Sequence, residues 1–270
     1  VKEDDFASRK NKVAQDGWSG DIADLFDMDL PEPRAMGAIA DIPITQGEKV
    51  MVYGPSGSKK TLFTYHWALS HIKDGGRGLL LQGEGNLPAF KKRLMKLWRG
   101  MSSDSLPTGK LYGKWKAFDI VQYAEVYRFF VDEAKPDFVV LDTMNLFSPA
   151  NENDVMEVTK FLEVSAYAVD KGATLVLVTH SSKSGERGKL VERGSSAIRG
   201  WADSSICIEP IDKIDSGPVM VSHVKCRDGA RSKARTLNWE FEADRYYYTE
   251  QAEHGQSEYT KVTSIMAGKP

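Results

Sequence analysis

The segment Gly54-Pro55-Ser56-Gly57-Ser58-Lys59-Lys60-Thr61 sets two glycines, a lysine and a threonine at the spacing of a phosphate-binding loop. Glycines let successive backbone N–H groups turn toward phosphate oxygens. A helix opening directly after them adds the positive end of its dipole. Lys60 is then placed to neutralise the β- and γ-oxygens of a nucleoside triphosphate, and Thr61 to hold Mg2+. Pro55, Ser56, Ser58 and Lys59 complete the cradle. One position departs from the pattern: Lys59 stands where glycine is usual. Its side chain is expected to lean toward solvent, and the departure bears on hydrolysis rate more than on nucleotide binding.

Three further polar groups end apolar runs. Asp142 closes Phe138-Val-Val-Leu-Asp142, about eighty residues after the loop, and suits an acid that supports the metal. Glu84 follows Gly78-Leu-Leu-Leu81 within Gln82-Gly83-Glu84-Gly85; a carboxylate there can orient the attacking water and accept its proton. His180 follows Thr174-Leu-Val-Leu-Val178 and can sense the γ-phosphate and report it to the segment beyond.

These groups act together only if strands bring them to one rim. Runs at 50–53, 78–81, 118–121, 138–141 and 174–178 read as strands, with helices at about 60–73, 87–99, 123–134 and 153–171 between them. Near-continuous apolar strands alternating with helices predict a mainly parallel, twisted sheet covered on both faces, an α/β fold. In such a sheet, ligands sit at the carboxyl ends of strands. After residue 203 the strands come without helices (205–209, 219–225, 236–241, 246–249), which predicts an antiparallel C-terminal extension. Along α-helix 87–99, Leu94, Leu97 and Trp98 are expected inward, and the basic stretch from Lys91 to Arg99 is expected to form a solvated face.

Composition sets the limits. The 270 residues are 41% hydrophobic and 27% charged, with a formal net charge of −2. Wholesale disorder and a uniformly basic surface are excluded, so any nucleic-acid contact must be local. No apolar run is long enough to cross a bilayer, and Val1-Lys2-Glu3-Asp4-Asp5 has no signal-peptide core, so a cytoplasmic setting without membrane is expected. Two cysteines, Cys207 and Cys226, cannot make a disulfide framework or a zinc site without other ligands. Residues 1–40 are expected to form an arm or linker, 41–250 the ATPase domain and 251–270 a polar tail. Within the arm, Ile22, Leu25, Phe26 and Leu30 recur at helical spacing among aspartates. Such a short helix packs either on its own domain or on a neighbouring subunit.

The four pieces, in this order, resemble the RecA-like P-loop ATPase core. The particular likeness is to the phage and plasmid AAA_25 or RepA-type ATPases, beside the DnaB-type replicative helicases. It is carried by residues 52–58, by Gln82-Gly-Glu-Gly85 followed by Lys91–Trp98, by Val139–Thr143 and by Arg193–Asp203. The resemblance implies ATP and Mg2+ as cofactors and a homo-oligomeric ring, a hexamer, with ATP at each subunit interface. His223-Val-Lys225-Cys-Arg227-Asp-Gly229 is similar to the segment whose lysine and arginine reach the γ-phosphate of the adjoining subunit. Lys225 and Arg227 are the matching residues.

The stretch from Ser181 to Ser196 mixes glycines and serines with Lys183, Arg187, Lys189 and Arg193, a composition suited to tracking a single-stranded DNA backbone. In RecA-like rings the matching loop faces the central channel, and Arg199 just beyond it braces an interface or touches DNA. A second channel loop is expected at about Ser148–Asp154. Tyr246, Tyr247, Tyr248 and Arg93 are candidates for stacking on a base. The activity implied is that of a DNA helicase, with two alternatives: a recombination or repair ATPase that does not unwind, and a nucleotide-dependent assembly protein with weak hydrolysis.

Overall fold

The computed structural model describes residues 32–101, 106–148, 154–181, 196–212 and 217–250. Contacts divide the chain into Val1–Pro33 and Arg34–Pro270, and nearly all described residues belong to the second unit. The expected helix at 21–30 and the tail beyond 250 lie outside them.

A hairpin opens this unit, straddling the boundary expected at 40/41. Strands β1 (Ala35–Ile39) and β2 (Ile42–Thr45) are joined by Ala40 and Asp41, both at positive φ, as a two-residue turn between twisted strands requires. Strands β3 (Lys49–Gly54), β4 (Arg77–Gln82), β5 (Lys110–Lys114), β6 (Phe138–Asp142), β7 (Thr174–His180), β8 (Ser204–Pro210), β9 (Val219–Cys226), β10 (Arg235–Phe241) and β11 (Tyr246–Glu250) form one nine-stranded sheet. Its order is β11-β10-β9-β8-β3-β7-β6-β4-β5. From β8 to β5 every neighbouring pair is parallel; from β8 to β11 every pair is antiparallel. The predicted extension is therefore present.

Both faces are buried, which explains the unbroken apolar strands. Val50, Val52, Leu80, Val140, Val176 and Val178 pack on one side. Met51, Leu79, Leu81, Val139, Leu141, Leu175 and Leu177 pack on the other. Helix α1 (Lys60–Lys73) covers the first face. The hairpin is pinned to it by Trp67, whose Nε1 donates to the Met36 carbonyl at 2.6 Å. Helix α2 (Leu87–Gly100) starts at Asn86, whose side chain caps the Ala89 N–H. Helix α3 (Ala124–Ala134) ends at Lys135 in the left-handed conformation before Pro136. Helix α3 contributes Tyr127 and Val131 to the second face.

Two predicted elements differ. The run at 118–121 is a turn: the Asp119 carboxylate accepts from the N–H groups of Val121 and Gln122, while Ile120 is buried. The edge strand is β5 instead. The span 153–171 is broken into α5 (Val155–Ser165) and α6 (Tyr167–Asp170), after a short α4 (Met144–Phe147). A last helix, α7 (Ser196–Trp201), precedes β8. No described helix is long and apolar enough to cross a membrane.

Candidate functional site

Strand register places the site. Gly54 lies opposite His180, Asp142 opposite Val178, and Gln82 opposite Asp142. The last residues of β3, β7, β6 and β4 thus share the carboxyl rim, as the sequence predicts. Gly83 N–H donates to the Asp142 carbonyl at 2.9 Å, holding the Glu84 turn against β6. The Gln82 side chain donates to the Glu84 carbonyl within the same turn.

The loop between β3 and α1 has the geometry of an anion cradle. A Cβ on Gly54 would stand 2.0 Å from the Ile208 carbonyl oxygen, so no other residue fits there. Gly57 has φ 79°, in the left-handed region. Lys59 also has φ 68°, which explains why glycine is usual and costs a lysine roughly 1–2 kcal/mol. Its ammonium reaches the Gly57 carbonyl at 3.4 Å and stands 5.7 Å from the centroid of the Phe241 ring. It leans across the surface toward β10, where an outward orientation was expected. Pro55 is half-buried, Ser56 is exposed and Ser58 is buried.

Lys60 is only 5% exposed, and its ammonium donates to the Gly54 carbonyl (2.9 Å), the Pro55 carbonyl (2.7 Å) and Ser58 Oγ (3.3 Å). Burial lowers its pKa to about 8, against the opposing pull of Asp142 and Glu84. The Thr61 hydroxyl donates to Asp142 Oδ1 at 3.3 Å. Asp142 is buried, and its pKa is raised by desolvation, with the neighbouring Tyr65 and Thr61 hydroxyls pulling the other way. Tyr65 lies beside that carboxyl; its buried hydroxyl makes no hydrogen bond of good geometry. Burial first, then the Asp142 charge, raise the phenol's pKa.

The Asp142–Thr143 peptide is cis, and Thr143 Oγ1 donates to Glu84 Oε1 at 3.4 Å. Glu84 itself is exposed, which leaves its carboxylate open to water. His180 is half-buried at the end of β7, and the N–H after it, from Ser181, donates to the Gly54 carbonyl at 3.0 Å. The expected phosphate sensor is therefore one residue from a direct backbone link to the loop.

The sequence reading sets Arg93 on a solvated face and offers it as a candidate for stacking on a base, not as a neighbour of Asp142. Arg93 is half-buried, one turn beyond buried Phe90 on α2, and Phe90 packs edge-on against Tyr65 at 5.7 Å. The Asp142 carboxyl and the Tyr65 phenol both feel its charge. The signal was its spacing, three residues after Phe90 and four before Leu97, both inward-facing.

Lys225 and Arg227 are not at this rim. The Lys225 ammonium binds three carbonyls, of Arg199 (2.7 Å), Gly200 (3.2 Å) and Ala202 (2.6 Å). Arg227 donates to the Gly200 carbonyl (3.0 Å) and pairs with Asp203 (2.6 Å). Both cations clasp the C-terminal end of α7, where the helix dipole favours positive charge. Lys225 lies opposite Ser205, and Ser205 opposite Met51, toward the amino end of the strands. Arg199 is exposed on α7. Lys183, Arg187, Lys189 and Arg193, and most of the expected second channel loop, lie outside the described residues. Asp154, from the end of that loop, caps α5 by accepting from the N–H groups of Met156 and Glu157.

The donors present suit a nucleoside triphosphate with a divalent cation: a loop that admits no side chain at Gly54, a buried ammonium turned into that loop, and a hydroxyl–carboxylate pair beside it. Among the described residues no cluster of His, Cys, Asp and Glu makes a metal centre of its own. The residues that could hold a divalent cation are Thr61 and Asp142, which meet through their hydroxyl and carboxylate. No curated protein matches the chain. A family model described as an AAA domain, AAA_25, matches residues 24–186, which span the loop, Glu84, Asp142 and His180. With that match over more than half its length, the chain belongs to the AAA domain family and is an ATPase of the AAA/P-loop type.

Proposed function

We propose that the protein is a ring-forming motor of the RecA-like kind, related to the RepA-type and DnaB-type ATPases, that hydrolyses ATP to move along single-stranded DNA as a helicase. The observation that carries this reading is the division of charged groups between the two edges of the sheet. Lys60, Thr61, Asp142 and Glu84 gather at the carboxyl rim, while Lys225 and Arg227 sit toward the amino ends of the same strands. Met51 and Gly54 alone are separated by about 10 Å along β3 at ~3.3 Å per residue. A second copy of the chain would bring its Lys225 and Arg227 to this loop, placing ATP at a subunit interface of a hexamer.

In that assembly Lys60 would exchange its loop carbonyls for β- and γ-phosphate oxygens. Thr61 and Asp142 would hold Mg2+, which draws charge from the phosphoryl group. Glu84 would take the proton of the attacking water. His180 would register phosphate release and pass it to residues 181–196, whose Lys183, Arg187, Lys189 and Arg193 would grip the strand. The coupling has a short route: these residues join β7 to α7, and α7 carries Arg199 and is held by Lys225 and Arg227.

The test is the ATPase rate with and without single-stranded DNA, alongside the mass of the assembly. Stimulation by the strand and a mass near six protomers support the motor, and fork unwinding supports the helicase. Strand annealing without unwinding supports the recombination or repair alternative. Retained hydrolysis in Lys60→Ala overturns the site. Lys59 at positive φ favours one further reading, an assembly protein in which ATP joins subunits and turns over slowly.

A further inference from the structure

The placement of the rim acids favours one direction for a nucleotide in the loop. Asp142 and Glu84 stand on the β6 and β4 side of Lys60, so the γ-phosphate end belongs there. A nucleoside extending away from that end would lie toward β8 and the C-terminal strands.

On that side β10 turns Leu237, Trp239 and Phe241 to one face, two residues apart. Leu237 and Trp239 are buried, and Phe63 of α1 packs edge-on against Trp239 at 5.0 Å. Phe241, the next residue on this face, is 43% exposed. Its ring is held from behind: Trp239 lies 6.4 Å away at 28°, and Tyr246 meets it edge-on at 5.1 Å. The phosphate loop touches this place directly through Lys59, whose ammonium stands over the ring. A large, exposed and preorganised aromatic ring next to a phosphate cradle is what the flat face of a purine requires.

We propose that Phe241 is the stacking platform for the nucleobase of the triphosphate held by Gly54–Thr61, with Lys59 yielding the ring face to the base. This rests on the reading of the loop as a nucleotide site. It assigns to β10 a role in binding that neither the loop nor the rim acids supply.

The experiment measures binding of ATP and of inorganic tripolyphosphate to the full chain by calorimetry, without Mg2+ so that nothing is hydrolysed. Phe241→Ala is expected to weaken ATP about tenfold, within the range of base–aromatic stacking, and to leave tripolyphosphate unchanged. Phe241→Trp restores ATP binding. Phe241→Leu, which keeps apolar bulk without a π face, behaves like the alanine variant and replaces it if that variant does not fold. Equal weakening of both ligands, or unchanged ATP affinity in the alanine or leucine variant, overturns the proposal. Wild-type protein that binds neither ligand refutes the nucleotide site itself, and this inference with it.

Discussion

Thr61 and Asp142, 81 positions apart in the chain, meet through a hydrogen bond of 3.3 Å between hydroxyl and carboxylate. One lies in the first turn of the helix after β3 and the other ends β6, and β7 runs between those strands. The pair exists because a parallel sheet returns every strand end to the same rim.

Glu84→Gln tests the rim acid that faces water. The amide keeps the shape and the Thr143 contact but cannot take a proton. Steady-state hydrolysis is expected to fall about 100-fold or more, the usual yield of a positioned base, with ATP affinity nearly unchanged. Equal loss of binding and turnover would instead mark Glu84 as a structural support of its turn.

Lys59→Gly tests the strained loop position. Removing the left-handed penalty of roughly 1–2 kcal/mol, less the ~0.5–1 kcal/mol by which glycine loosens the unfolded chain, leaves a net stabilisation of up to about 1.5 kcal/mol. Urea unfolding of the nucleotide-free protein measures it, and a lower midpoint in the variant contradicts the strain.

Lys225→Met separates two roles for one cation. Three carbonyls at the end of α7 lose their donor, so the variant is expected to unfold at lower urea by about 1–2 kcal/mol. If Lys225 also serves the adjoining subunit, ATPase activity falls under conditions where the variant remains folded and assembled. Activity matching the wild type in that assembly excludes the second role.

Asp137 provides a pH signature away from the site. Burial alone would raise its pKa, but the Arg77 N–H at 2.7 Å, His71 at 3.2 Å and the Arg34 guanidinium at 3.0 Å outweigh that and lower it. A carboxylate with a depressed folded pKa contributes stability above its unfolded pKa and loses it as pH falls through the folded value. The urea midpoints of wild type and Asp137→Asn should therefore differ near neutrality and converge in acid, below the ordinary aspartate range. A difference that persists unchanged at low pH contradicts the assignment.

The strands that carry the rim were legible because burial on both faces leaves few polar residues in them, and a polar residue at each end then stands out. The run at 118–121 misled because its apolar residues are buried from a turn, which periodicity cannot distinguish from a short strand. Strand β5 was hidden by the opposite circumstance: an edge strand of sequence KLYGK has little apolar content to mark it. The nearness of Arg93 to Asp142 was missed because its charge class outweighed its position beside Phe90 on the inward stripe. The opposing placement of Lys225 and Arg227 depends on strand order beyond β8, which no local pattern encodes.

Lys60 already satisfies three oxygens of its own loop, so accepting a polyphosphate trades contacts and does not simply add them. Part of the binding enthalpy would be forfeited to the broken carbonyl bonds, and the heat of association would look small beside the affinity. Departing product would meet the reverse: the loop would recapture the lysine, and the residence of whatever is leaving would be shortened.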